Sequence, residues 1–206
     1  MQLKTVRVAL YGAIALVLIV IGGLYAASST FSPNDKLGLL TKPSNMIGGP
    51  FTLTDQNGKT VTEKDLLGKP ALMFFGYTFC PDVCPTTLSE AGEWLKALGP
   101  NADKLGIYFI TVDPARDTPA QLKEYLSSFD PHIHGLSGTP DQTAQILKEY
   151  RVFARKVEQG NGADYLMDHT AAVYLMDKDG QFVGIINYGE DQGKAIAKLK
   201  DLVART

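Results

Sequence analysis

The chain has 206 residues, enough for one ordinary domain with a remainder and too few for two of full size. Hydrophobic residues make up 45% and charged residues 20%, a globular balance, and the formal charge of -2 leaves no basic surplus to neutralise a nucleic-acid backbone. Two cysteines and three histidines exclude a disulfide-rich scaffold and leave little room for multi-metal or cluster chemistry.

From Val8 to Ala27 there is no Asp, Glu, Lys or Arg. A helix of about 20 residues spans roughly 30 Å, the thickness of a bilayer core. Lys4 and Arg7 precede this stretch, and the next basic residue is Lys36. The positive-inside rule therefore predicts a transmembrane anchor over 8–27, with residues 1–7 in the cytoplasm and the rest of the chain outside it. Insertion into a bacterial cytoplasmic membrane, with the soluble part in the periplasm, is the simplest reading. A cleaved signal peptide is the alternative: Ala26, Ala27 and Ser28 are small enough for cleavage, but the stretch exceeds the usual ~7–15-residue apolar core. Either way the remainder faces an oxidising space. Residues 28–49 are rich in Ser, Pro, Asn and Gly, without periodicity, and read as a tether. Residues 50–206 form the expected domain.

Within it, Phe51 to Thr54 and Lys59 to Thr62 flank an Asn57-Gly58 turn and predict a hairpin. Ala71 to Tyr77 and Gly106 to Val112 are continuous apolar runs, as in strands buried on both faces. Val83 to Leu98 carries apolar residues at helical spacing. Pro119 to Phe129 and Thr139 to Tyr150 also read as helices, the first capped by Asp117 or Thr118. Ala171 to Met176 and Phe182 to Asn187 form a second hairpin around Asp177-Lys178-Asp179-Gly180, and a helix from Asp191 to Ala204 closes the chain. This order predicts an α/β domain with a mixed, thioredoxin-like sheet and an N-terminal β-hairpin extension.

Both cysteines lie in Phe79-Cys80-Pro81-Asp82-Val83-Cys84-Pro85, where a buried strand hands over to a helix. With Cys80 near the N-cap and Cys84 one turn on, the sulfurs share a face, and the helix N-terminus favours thiolate. Disulfide exchangers usually separate their cysteines by two residues; here there are three, which suits chelation as much as exchange. Soft thiolates select Cu(I) or zinc, and two cysteines supply at most half of a structural zinc site. A structural disulfide is the plain alternative, but so short a loop stabilises weakly.

Three histidines compete as a further ligand. His132 and His134 stand in a polar stretch after a helix and read as solvated residues. His169, in Asp164-Tyr165-Leu166-Met167-Asp168-His169-Thr170, directly precedes a strand. In a thioredoxin-like fold the loop leading into that strand packs against the cysteine corner. The residues alone leave His169 open between ligand and ordinary loop residue. Asp168 or Asp164 could orient its ring.

Three blocks occur in order: Gly76 to Pro85, Thr111 to Thr118 (Thr-Val-Asp-Pro-Ala-Arg-Asp-Thr) and Asp164 to Thr170. Together they resemble the signatures of the Sco/SenC copper proteins, over the anchor and essentially the whole domain. The resemblance implies one copper ion per chain, as Cu(I) or Cu(II), bound by Cys80, Cys84 and His169, with Asp113 close enough to tune the site. It also implies a role in building the dinuclear copper centre of cytochrome c oxidase subunit II, with copper received from an upstream donor.

Two functions compete. A metallochaperone would use all three groups. A thiol–disulfide reductase, keeping the partner's copper-ligand cysteines reduced, would use Cys80 and Cys84 alone, with the more exposed thiol, Cys80, attacking. A thiol peroxidase fits less well. It needs a threonine three residues before the reactive cysteine, and Thr78 is two before Cys80.

Overall fold

The computed structural model describes residues 47–160 and 164–205. The expected anchor over 8–27, and the tether up to residue 46, lie outside the described residues. Among the described residues no helix is long and apolar enough to cross a membrane. The tether's last residues already belong to packed structure. Ile47 lies against the core and the Gly48 N–H donates to the Glu149 carbonyl at 2.9 Å, so the domain begins before the expected Pro50.

The sheet is built around the two apolar runs. β3 (Ala71–Gly76) and β4 (Gly106–Thr111) pair in parallel, and every residue of β3 is buried. The helix between them, α1 (Val83–Leu98), turns Cys84, Leu88, Ala91, Trp94, Leu95 and Leu98 inward. β5 (Ile133–Ser137) adds in parallel beside β4. This puts His134 in a core strand and His132 just before it, with both residues exposed. The predicted hairpins form as β1 (Thr52–Asp55) with β2 (Thr60–Thr62), and β8 (Ala172–Met176) with β9 (Phe182–Asn187). Gly58 and Gly180 take φ of +86° and +73° at their turns, where a Cβ would be strained. The seven strands run in the order β2-β1-β5-β4-β3-β8-β9, a mixed thioredoxin-like sheet with the N-terminal hairpin at one edge.

Three further helices follow: α2 (Pro119–Leu126), α3 (Pro140–Glu149) and α4 (Gln192–Ala204). Thr118, not Asp117, caps α2, and Thr139 caps α3 in a capping box with Gln142. Asp117 is fully buried instead. Its carboxylate accepts the Thr78 N–H at 3.0 Å, the Thr78 hydroxyl at 2.6 Å and the Thr111 hydroxyl at 2.7 Å. Its carbonyl accepts the Ser137 hydroxyl. Burial pushes the Asp117 carboxyl up, and the hydrogen bonds from Thr78 and Thr111 oppose that. One residue thus ties the loop after β3 to the ends of β4, through its carboxylate, and β5, through its carbonyl.

A separate two-stranded ribbon, which no pattern in the sequence predicts, is formed by β6 (Ala154–Gln159) paired antiparallel with β7 (Asp164–His169). β6 reads Ala-Arg-Lys-Val-Glu-Gln and is mostly exposed, so it carries no apolar alternation that would reveal a strand. His169 therefore ends a strand and does not sit in a loop.

Asp117→Ala strips partners from three donors, two on the part-buried Thr78 and one on the buried Thr111, each costing about 1–3 kcal/mol where it is left unpaired away from water. Urea unfolding is expected to show a loss of at least ~3 kcal/mol, with Asp117→Asn losing less. Equal stability of the alanine variant and the wild type would contradict the role given to this carboxylate.

Candidate metal centre

The end of β3 sets the position of the first sulfur. Gly76 closes the strand, and Thr78, held by Asp117, fixes the loop that follows. The Cys80 N–H then donates to the Tyr77 carbonyl at 3.2 Å. Cys80 stands near the helix start as expected, two residues before its N-cap Asp82 and outside the helix itself. Its sulfur still does a cap's work. Asp82 makes no side-chain capping bond, and the Cys84 N–H in the first turn of α1 reaches the Cys80 Sγ at 3.4 Å.

Cys84 is fully buried, whereas Cys80 is half-buried, and both are free thiols. Behind Cys84 lies the end of β3. A Cβ on Gly76 would stand 2.8 Å from the Cys84 Sγ and 2.6 Å from the Phe109 ring, so glycine is what lets this sulfur approach the strand. The two thiols are not equivalent. A hydrogen bond from the Cys84 thiol, with smaller help from the Asp82 and Cys84 N–H groups, holds the Cys80 thiol far below the usual thiol range against the cost of burial. Cys84 is pushed the other way, first because its S–H donates to the Cys80 sulfur, which keeps the proton on Cys84, and then by burial.

The imidazole comes from the ribbon. His169 Nε2 lies 3.7 Å from the Cys84 Sγ, and Nδ1 lies 3.1 Å from the Thr170 carbonyl. With Nδ1–H donating to that carbonyl, the Nε2 lone pair faces the sulfurs. The ring packs edge-on to Tyr77, with centroids 5.8 Å apart and planes at 89°. The root of the ribbon is pinned by the Thr170 N–H to the Phe153 carbonyl and the Phe153 N–H to the Thr170 hydroxyl. Sulfur and nitrogen atoms of Cys80, Cys84 and His169 all lie within 4.8 Å of one another, a spacing at which one ion can be shared.

The other expected residues are placed differently. Asp168 points away to an exposed ion pair with Arg155 at 3.2 Å, and the Thr170 carbonyl orients the histidine ring in its stead. β7 is the reason: alternate side chains face opposite sides of a strand, so neighbours 168 and 169 cannot meet. Asp113 is buried but acts at one remove. It accepts the Arg116 Nε–H and, at 3.0 Å, the Tyr165 hydroxyl, both beside β7. The Thr78 hydroxyl, which a peroxidase would turn to its cysteine, is committed to Asp117. His132 pairs with Asp130 at the surface, and His134 packs on Tyr108. Between ribbon and cysteine corner opens a cleft of about 310 Å³, with Cys80 and His169 on its walls beside Val83, Val157, Leu166 and Met167.

The family model for SCO1/SenC matches residues 41–204. The mitochondrial protein SCO1 of Saccharomyces cerevisiae is 47% identical over 167 residues, 79% of this chain and 55% of that protein, so the chain spans about half the length of this curated relative. The structure of Bradyrhizobium japonicum ScoI with copper bound is 59% identical, covers 76% of this chain and 99% of its own, and has a TM-score of 0.71. Yeast Sco1 with copper bound is 44% identical, covers 78% of this chain and 90% of its own, and has a TM-score of 0.72.

The proton arrangement predicts unequal thiols. Iodoacetamide applied to the reduced chain near pH ~6 is expected to alkylate Cys80 well ahead of Cys84, as read by peptide mass spectrometry. Equal labelling, or labelling of Cys84 first, would overturn it.

Proposed function

The chain belongs to the SCO1/SenC family, and on that premise we propose that it is a copper metallochaperone whose cargo is held by Cys80, Cys84 and His169. The observation that carries this reading is the meeting of two thiols from a helix start with one imidazole from a separate ribbon. Thiolates favour Cu(I), and an imidazole helps the same site accept Cu(II). Cys80 enters with its proton already displaced, which lowers the cost of the first bond to a cation. The backbone contact at Nδ1 keeps the ring in the tautomer that offers Nε2.

Release is supported by the same geometry. Three protein donors leave room in the coordination shell, and the cleft beside Cys80 and His169 gives an incoming ligand a route to the ion. A soft, half-exposed site can therefore pass its cargo by ligand exchange. The recipient proposed, from the family resemblance, is the dinuclear copper centre of cytochrome c oxidase subunit II, and an upstream protein supplies the copper. The apolar stretch 8–27 anchors the chain in a bacterial cytoplasmic membrane, with the copper domain on the periplasmic side. A thiol–disulfide reductase would draw on the same cysteines. It gives no part to His169, whose ring is brought to hydrogen-bonding range of Cys84.

Titration of the reduced full-length chain with Cu(I) against a competing chelator is expected to give one ion per chain. His169→Ala should bind at least about tenfold more weakly, and the oxidised pair not at all. A stoichiometry near zero, or affinity indifferent to His169→Ala, would sink the proposal. For the anchor, carbonate extraction of cells should leave the chain in the membrane pellet; recovery in the soluble fraction refutes that placement.

A further inference from the structure

Among the described residues, the ribbon that supplies His169 pairs with no strand of the main sheet. A lone two-stranded ribbon is marginal in water, and the edge of β7 that faces the domain has backbone groups to satisfy. Two side chains do so. The Tyr165 carbonyl accepts the Arg116 Nη1–H at 3.0 Å, and the Met167 N–H serves the Tyr77 hydroxyl. Residues two apart on a strand direct their backbone groups to the same edge, so both contacts replace one missing neighbouring strand.

Arg116 does more than donate one bond. Its Nε–H is held by Asp113, whose other oxygen accepts the Tyr165 hydroxyl. The guanidinium lies over the Tyr165 ring at 3.6 Å and over the Phe79 ring at 4.6 Å, with Tyr77 at 5.8 Å. Each of these rings belongs to a part of the site. Phe79 adjoins Cys80, Tyr77 packs on the His169 ring, and Tyr165 shares a face of β7 with His169. Asp113 closes the triangle from the loop after β4.

We propose that Arg116 is a positioning residue that latches strand β7, and with it the His169 imidazole, to the cysteine corner. The latch sets how often the nitrogen donor is in place without itself touching the ion. Its worth for metal binding rests on the copper reading above; its mechanical part does not. Guanidinium geometry is needed, because one planar group must bond a carboxylate and a carbonyl while stacking on a ring.

The test uses the full-length chain and two variants that break the latch from opposite sides, Arg116→Met and Tyr165→Leu. In metal-free protein, amide hydrogen exchange across β7 should accelerate about tenfold or more in both, while β3 and β8 keep their protection. In copper competition, Arg116→Met should weaken binding by about tenfold, the usual scale for a partner that orients a ligand. That loss should vanish in the Arg116→Met/His169→Ala double variant when compared with His169→Ala alone. Unchanged β7 exchange in both variants overturns the latch. A loss that recurs in full without His169 also overturns it, since Arg116 would then act on the thiols or on the whole fold. If even the wild type binds no copper, the metallochaperone reading fails, and the exchange comparison alone still decides the latch.

Discussion

A sulfur anion at a partly buried corner is costly unless donors already face it. Here the Cys84 thiol and N–H are directed at the Cys80 sulfur before any ligand arrives, and the pair shares one proton between an accessible and an enclosed site. Much of the surrounding structure serves to hold that arrangement. Asp117 fixes the loop on one side, the Gly76 backbone admits the inner sulfur on the other, and the start of α1 supplies the N–H. The asymmetry follows from position: one sulfur is buried beside the Gly76 backbone, the other at the rim of a cleft.

The third donor obeys a different logic. The cysteines are built into the edge of a packed core, whereas the histidine arrives on a ribbon joined to that core mainly by side chains. Under the proposed reading, thiols set in the core and an imidazole on a separate ribbon suit a site that both grips and surrenders an ion. A fully enclosed set of donors would hold its ion too well to pass it on. The Thr170 carbonyl fixes the ring's tautomer locally, while Arg116 and Tyr77 govern where the strand as a whole lies.

The family comparison and the geometry bear on each other at the same residues. The matched region of 41–204 contains all three donors and all three sequence blocks. Within those blocks some residues carry chemistry and others carry structure. In the Asp-Pro-Ala-Arg-Asp-Thr block, Asp117 braces the cysteine loop, Asp113 and Arg116 reach the ribbon, and Thr118 caps a helix. None of these four is among the clustered donors, yet each supports an element that carries one or shapes the domain beside it.

The sequence alone determined β3, β4, both hairpins and the helices α1 to α4, though not the core strand β5, because period, turn residues and caps are local properties. The same is true of the cysteine pair, since five consecutive residues at a strand-to-helix junction leave the chain little choice of where the sulfurs go. Only the tertiary structure decided the rest. The 154–169 ribbon has no buried face to write a pattern into its residues, so its strands were illegible. Cys80 outside the helix, Asp168 turned from the ring and the Thr170 carbonyl in its place all depend on strand register and loop path. The Arg116–Tyr165 contact joins residues 49 positions apart through stacking and one backbone bond. Neither interaction requires a periodic pattern, so nothing in the local chain announces a partner that only folding brings within reach.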